Sequence, residues 1–224
     1  MACAPTYRHA LLQRLSDTAL TVRAPAHSHC LLWQQLRIYC GTLPLSRQPR
    51  PLPDLELNSP WLPLTGEGGF ALLVAGPRPA LEQAQPLLDA LAVQPGAWLY
   101  CGPLGAASFC RRVFDVLFYL TGPLLLQQTQ SAPQQPLDWP ALLQQQQLLL
   151  DRLAALCLDY LQQQGVCAVH EAEQWQLLAE FQRPPAQQQH FALNLAQLLL
   201  LANNLGENAR QLLEQALRSM RPQS

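Results

Sequence analysis

The chain has 224 residues, which suits one large domain or two small ones. Only 13% of them are charged, against about 25% in an average soluble domain, and the formal net charge is −1. A near-neutral chain without a cluster of basic residues predicts no nucleic-acid partner. Its most apolar stretch is shorter than the roughly 20 residues of a membrane-spanning helix, so we expect no membrane partner.

All fourteen basic residues are arginine, and none is lysine. The seven cysteines include no C-x-x-C pair, and several stand in apolar runs where free cysteine packs as a small hydrophobe. The N-terminal residues lack the apolar core of a secretory signal, so we expect a reducing, cytoplasmic location. His27, His29, Cys30 and Cys40 could ligate a metal, but the second close pair of a zinc site is missing, so we predict none.

The first 56 residues carry weak periodicity. Tyr7–Arg14 predicts a short helix, while Ala19–Arg23 and Leu36–Tyr39 predict short strands. The stretch 47–53 holds three prolines and predicts an extended connector.

Residues 69–101 predict a strand, a helix and a second strand. The apolar run 69–75 is typical of a strand buried on both faces. Residues 79–91 carry apolar side chains at 81, 84, 87, 88 and 91, which is helical spacing, although Pro86 should bend this helix or shift its start. Residues 97–101 predict the second strand, so the segment forms a βαβ unit.

The sequence after Gly105 predicts only helices, over residues 105–120, 138–164, 169–182, 186–205 and 207–219. Asp138 is a predicted N-cap, and Gly165 and Gly206 are predicted helix stops. The whole pattern predicts an α/β domain over residues 1–103 followed by an all-α helical bundle over residues 104–224.

Two adjacent blocks resemble the 6-phosphogluconate/3-hydroxyisobutyrate (β-hydroxyacid) dehydrogenase superfamily. Residues 69–91 are similar to the family's strand, glycine and helix with an internal Pro-hydrophobic-Leu. Residues 100–115 are similar to its Gly-Pro-x-Gly-x-Gly-x-x-x-Lys-x-x-x-Asn motif, which opens the helix between the two domains. Residues 191–220 show a weaker likeness to its last helix pair. The resemblance implies a reduced Rossmann-like half joined by a long helix to a helical bundle.

The resemblance also indicates which positions would form a site. The family's catalytic lysine falls on Arg111 and its asparagine on Asp115, and arginine cannot release a proton near neutral pH. These two residues can form an i,i+4 salt bridge or bind a small carboxylate or phosphate. Four further residues match ligand-contacting segments of the family, so the remaining ligand-binding candidates are Ser59, Gly102, Gly105 and Asn194.

The family's dinucleotide loop, Gly-x-Gly-x-x-Gly after the first strand, is absent from the sequence. We therefore expect no cofactor and no catalytic residue. The favoured interpretation is a non-catalytic binding or regulatory protein derived from an NAD(P)-dependent dehydrogenase. Leucines 198–201 cover every side of a helix and favour a homodimer, with burial inside one chain as the alternative. Two other functions stay open: an active oxidoreductase that binds NAD(P) unconventionally, and a cytosolic helical adaptor unrelated to the family.

Overall fold

The computed structural model describes residues 5–16, 18–25, 29–43, 52–60, 68–119, 139–167, 174–184 and 187–219. The strands are β1 Val22–Arg23, β2 Cys30–Trp33, β3 Leu36–Cys40, β4 Leu55–Asn58, β5 Leu72–Ala75 and β6 Trp98–Gly102. The helices are α1 Pro5–Ser16, α2 Arg78–Leu91, α3 Ala106–Phe114, α4 Trp139–Gln163, α5 Gln174–Phe181 and α6 Phe191–Ser219, and a π-helical turn, Asp115–Tyr119, continues α3.

The six strands form one mixed sheet in sequence order, β1 to β6. The pairs β1/β2, β2/β3 and β4/β5 are antiparallel, whereas β3/β4 and β5/β6 are parallel. The predicted α/β fold is confirmed at this level. A doubly wound dinucleotide-binding sheet is mostly parallel and reverses its strand order in the middle, and the described strands have neither property.

The predicted βαβ unit is confirmed, because β5 and β6 pair in parallel and α2 connects them. All five positions of the predicted apolar stripe of α2 are buried. Burying a leucine side chain contributes about 1.5–3 kcal/mol, so this stripe fixes α2 against the sheet. Pro86 lies on the exposed side and the helix runs through it, so the shifted helix start, one of the two effects expected of this proline, does not occur.

The apolar core lies on one face of the sheet, under α1 and α2. Leu55 and Leu57 of β4 belong to this core together with leucines of both helices. Because alternate residues of a strand point to opposite faces, Glu56 and Asn58 point to the other face. Helix α3 packs on β4, β5 and β6, and the contacts of Glu56 with Ser108 place it on that second face.

The N-terminal predictions are confirmed for the helix (α1) and for the strand at Leu36–Tyr39 (β3), while the first predicted strand is shortened to β1. Strands β2 and β4 were not predicted. Each has only four residues, which is too short for an alternating pattern to stand out.

In the described residues of the C-terminal half, the last two predicted helices form a single helix. Helix α4 ends before Gly165, whose φ of +68° confirms the predicted stop. Asp138 lies outside the described residues. Gly206 does not end a helix, because α6 continues through it to Ser219, so the predicted division at this glycine was wrong. A glycine costs only about 1 kcal/mol within a helix, and neighbouring leucines can outweigh it.

The chain forms two compact units. The first comprises Met1–Thr121 and Pro184–Leu193, and the second comprises Gly122–Arg183 and Asn194–Ser224. Helix α3 belongs to the first unit, whereas the predicted boundary at 103/104 assigned it to the helical domain. Within the described part of the chain, no helix combines the length and the apolar character needed to cross a membrane.

Candidate functional site

The loop from Gly102 to Gly105 joins β6 to α3. Both glycines have positive φ angles, +135° and +93° respectively, which side chains other than glycine rarely adopt. Gly105 is the residue immediately before the first turn of α3. The glycine-containing turn that the motif predicted therefore exists, and it brings backbone N–H groups together at the N-terminal end of a helix.

A carboxylate from the chain itself lies at this helix end. Glu56 of β4 is completely buried. Its Oε2 accepts a hydrogen bond of 2.8 Å from the backbone N–H of Gly105, and its Oε1 accepts a short one from the hydroxyl of Ser108. The amide Nδ2 of Asn58 lies 3.4 Å from the same Oε1. Glu56 thus caps α3 from a neighbouring strand.

The hydrogen bonds continue beyond the carboxylate into the segment after β3. The backbone N–H of Leu43 donates to Ser108 Oγ at 2.6 Å, and Asn58 Nδ2 also donates to the carbonyl of Gly41 at 2.9 Å. Ser108 and Asn58 are both buried. Residues 41–43, β4 and the start of α3 are consequently connected through Glu56, which we call the Glu56 network.

Burial and hydrogen bonding act in opposite directions on Glu56. Desolvation raises the pKa of its carboxyl, and the hydrogen bonds from Ser108, Gly105 and Asn58 lower it by a smaller amount. The net shift is upward. A buried carboxylate needs several donors to be tolerated, and the Glu56 network supplies them.

Two buried cysteines lie beside the Glu56 network, Cys101 on β6 and Cys110 on α3. Burial raises the pKa of the Cys101 thiol well above its usual range, and the neighbouring Cys110 and Glu56 raise it further. Because only the thiolate is a good nucleophile, Cys101 is unsuited to covalent catalysis near neutral pH.

Arg111 and Asp115, which match the family's catalytic lysine and asparagine, form an ion pair. Arg111 Nε lies 2.8 Å from Asp115 Oδ1, and their side chains are 20% and 41% exposed. A second guanidinium nitrogen of Arg111 donates a short hydrogen bond to the carbonyl of Ser59. The structure therefore brings Ser59, Arg111 and Asp115 together, and the salt bridge that the sequence offered as the alternative to ligand binding is formed.

The adjacent Arg112 also contacts the backbone of a segment that is distant in sequence. Its Nη2 donates a 2.9 Å hydrogen bond to the carbonyl of Leu43. Arg111 and Arg112 thus reach two different backbone segments, and both tie α3 to residues that are distant in sequence.

Gly102 contacts a residue that the sequence analysis did not consider, His190. A Cβ atom at Gly102 would lie 2.3 Å from the His190 ring, so only glycine fits there. Burial lowers the pKa of His190, which favours the neutral imidazole at pH 7. Nearby, Arg78 lies over the ring of Tyr100 at 4.9 Å and donates to the carbonyl of Gln188 at 3.3 Å.

The last candidate, Asn194, is a buried residue of α6 in the second compact unit, whereas the other candidates belong to the first. The residues that organise the site, Glu56 and Ser108, were not predicted. Glu56 stands between two leucines, a pattern that predicts an outward-facing charge on a half-buried strand. The sequence around Glu56 is the same whether its side chain faces solvent or caps a helix in the protein interior.

In comparisons with known proteins, no family model matches the chain, and no curated protein matches it.

Proposed function

We propose that this protein is a non-catalytic, dimeric binding or regulatory protein of the cytoplasm, derived from an NAD(P)-dependent β-hydroxyacid dehydrogenase. In this proposal β5, α2 and β6 are the remnant of a Rossmann-like half, and the helices after α3 form the bundle. The observation that carries the proposal is the ion pair at the position of the family's catalytic lysine, where Arg111 binds Asp115 and the Ser59 carbonyl.

The chemistry of arginine supports the absence of catalysis. A guanidinium has a pKa above about 12 and keeps its proton, whereas a general acid or base must exchange one near the working pH. Arg111 is also held by two acceptors of the chain. We expect Arg111→Lys to produce no dehydrogenase activity with hydroxy acids and NAD or NADP.

The absence of a dinucleotide site is tested by calorimetry. Titration of the protein with NAD or NADP up to millimolar concentration should release no binding heat, because the sequence lacks the Gly-x-Gly-x-x-Gly loop that brings backbone amides to a pyrophosphate. A micromolar dissociation constant would overturn the non-catalytic proposal and favour an oxidoreductase with unconventional nucleotide binding.

The proposed ligand is a small carboxylate or phosphate held near Arg111, whose guanidinium can bind such groups with two parallel hydrogen bonds. The ligand would have to compete with Asp115 for Nε. A thermal-shift screen of hydroxy acids and sugar phosphates should identify compounds that stabilise the wild type and not Arg111→Ala. Arg183→Ala is the matched control, since Arg183 forms an ion pair with Glu180 at a similar distance. Identical profiles for wild type and Arg111→Ala would leave Arg111 with a structural role only.

The proposed homodimer is supported by apolar side chains in the second unit. Leu200 and Leu201 are buried, but Leu205, Leu158 and Trp175 are 55%, 53% and 73% exposed. Large exposed apolar side chains are typical of interaction surfaces. Light scattering at micromolar concentration should give twice the mass of the 24.9 kDa chain. Leu205→Glu should yield monomers, and Asn204→Glu, which adds the same charge one position away, should not. A monomeric wild type would contradict this arrangement and leave the helical adaptor as the better alternative.

A further inference from the structure

We propose that residues 187–190 form an acid-sensitive cover on the carboxyl ends of β5 and β6, and that protonation of the His190 ring releases this cover. The four residues lie between α5 and α6. The proposal goes beyond the proposed function, because it concerns neither Arg111 and its partners nor the homodimer. It describes a conformational change that a single ring controls.

The cover is attached to the ends of both strands. Pro184–Leu193 packs within the first compact unit, although the helices on either side belong mainly to the second. The His190 ring lies so close to Gly102, at the end of β6, that a Cβ atom there would come within 2.3 Å of it. Arg78, which follows the end of β5, donates a 3.3 Å hydrogen bond from Nη2 to the carbonyl of Gln188. Release of the cover must therefore break contacts with both strand ends.

The contacts of the cover are largely buried. The side chain of Gln188 is 1% exposed, and Tyr100 of β6 is 8% exposed. The Arg78 guanidinium lies 4.9 Å over the Tyr100 ring, and the Tyr100 hydroxyl donates a 3.0 Å hydrogen bond to the carbonyl of Gly76. Release would bring the Gln188 side chain into water and separate the Arg78 guanidinium from the Gln188 carbonyl.

The attached position of His190 favours an uncharged ring. Burial lowers the pKa of His190 below its usual 6.5, because an imidazolium loses hydration there. Its carbonyl accepts a 3.1 Å hydrogen bond from the N–H of Leu193, so it lies at the N-terminal end of α6, where the helix dipole also disfavours a positive charge. His190 is the one ionisable residue between Arg183 and Glu207. Acidification therefore acts on this segment through the His190 ring.

Other ionisable side chains lie on the elements that meet the cover. Arg78 of α2 keeps its charge at every relevant pH. Tyr100 and Cys101 of β6 have raised pKa values and stay neutral near pH 7. Glu56 of β4, which bonds to the loop after β6, also has a raised pKa and titrates at acidic pH. A substitution of His190 is therefore needed to separate its titration from that of Glu56.

The direction of the pH effect follows from proton binding. The attached ring binds a proton less readily than the released ring, so attachment is strongest above pH 6.5 and weakens as the pH falls below that value. If the attached ring stays neutral, the ratio of attached to released cover falls about tenfold between pH 7.5 and pH 5.5. The decline ends below the lowered pKa of the attached ring.

Hydrogen exchange followed by mass spectrometry of the full chain tests the release. Peptides covering residues 187–193 contain the hydrogen-bonded N–H groups of Gln187 and Leu193. After correction for the intrinsic exchange rate, their protection in the wild type should fall by up to about tenfold between pH 7.5 and pH 5.5. In His190→Gln, whose side chain stays neutral, this fall should be absent. His29→Gln is the matched control, because His29 is exposed, and it should retain the wild-type fall.

The proposal is overturned if the wild type shows no fall in protection, or if His190→Gln shows the same fall. If His190→Gln does not fold, NMR of the wild type provides a second measurement. The ring signals of His190 should titrate with a midpoint below pH 6.5, and the side-chain Nε–H signal of Arg78 should change with the same midpoint, because Arg78 bonds to the Gln188 carbonyl of the cover. An Arg78 signal that does not follow the His190 titration would show that the ring is protonated without release, and the proposal would be wrong.

Discussion

The two ends of helix α3 both hold a carboxylate, but they do so in opposite environments. At the N-terminal end, Glu56 comes from another strand, is fully buried and accepts hydrogen bonds from the backbone and from neutral side chains. At the C-terminal end, Asp115 belongs to the same stretch of helix, is 41% exposed and pairs with the charged Arg111.

This difference indicates that the Arg111–Asp115 ion pair, which lies at the motif positions, contributes less to stability than the Glu56 network does. An ion pair between partly exposed side chains contributes about 0–1 kcal/mol because water screens the charges. A buried carboxylate contributes through the donors that it satisfies, each of which would cost about 1–3 kcal/mol if left without a partner. We therefore expect Arg111 and Asp115 to stabilise the packing of α3 on the sheet less than the Glu56 network does.

The largest effect is expected in the loop that leads to the N-terminal end. Gly102→Ala should destabilise the fold by about 3 kcal/mol, because alanine is strained at φ +135° and its Cβ collides with His190. Gly96→Ala is the matched control, since Gly96 also has a positive φ, +77°, but a Cβ added there would meet no atom within 4 Å. Chemical denaturation measures both. In a His190→Ala background the penalty at Gly102 should fall to that at Gly96; an unchanged penalty would show that the histidine contact is unimportant.

A smaller effect is expected within the Glu56 network itself. Ser108→Ala removes a donor to Glu56 and an acceptor for the Leu43 N–H, and it should cost roughly 1–3 kcal/mol of the free energy of unfolding. Ser16→Ala is a suitable control, because the Ser16 hydroxyl also donates a hydrogen bond, to the carbonyl of Gln13, but Ser16 is exposed. If both substitutions lower the free energy of unfolding by the same amount, burial of the Glu56 network adds nothing to the strength of its hydrogen bonds.

The third effect depends on pH. Because burial raises the folded-state pKa of Glu56 above its usual 4.5, the folded state binds more protons than the unfolded state between these two pKa values. The contribution of Glu56 to stability is therefore full below pH 4.5 and declines as the pH rises through the folded-state pKa. The free energy of unfolding of the wild type, relative to Glu56→Gln, should fall with a slope of at most about 1.4 kcal/mol per pH unit. If the free energy of unfolding of the wild type, relative to Glu56→Gln, instead rises with pH, the pKa of Glu56 is lowered and not raised.

The smallest effect is expected at the C-terminal end. Asp115→Ala should cost only about 0.3–0.5 kcal/mol, and added salt should reduce this cost further. Equilibrium denaturation in low and high salt, compared with Glu180→Ala at the ion pair between Arg183 and Glu180, measures this cost. If Asp115→Ala lowers the free energy of unfolding by several kcal/mol, the carboxylates at the two ends of α3 contribute equally to stability.

Helices and strands could be predicted where apolar residues repeated at a regular spacing over a sufficiently long segment. The stripe of α2 and the parallel pairing of β5 and β6 followed from residues 69–101, because a buried helix face and buried strands leave a clear pattern. Strand β4 shows no such pattern in the sequence. Its pairing, parallel to β3 and antiparallel to β5, depends on contacts between segments that are far apart in sequence.

The candidate site was predictable only in part for a similar reason. The motif placed Arg111 and Asp115 on one helix face, and spacing alone sufficed to predict their ion pair. The contact of Arg111 with Ser59 spans 52 positions, and that of Ser108 with Glu56 spans the same distance. Such contacts depend on how the sheet is ordered, which the sequence pattern did not reveal.

The alternation within β4 has a consequence for how the sheet selects its register. A strand of four apolar residues could slip by one position along its neighbours at little cost. In Leu55–Asn58, a one-residue slip would carry the Glu56 carboxylate into the apolar core and turn a leucine towards the Glu56 donors. A charge without donors is expensive in such a place. The Glu56 side chain therefore makes pairings of β4 with β3 and β5 that are displaced by one residue less stable than the observed register.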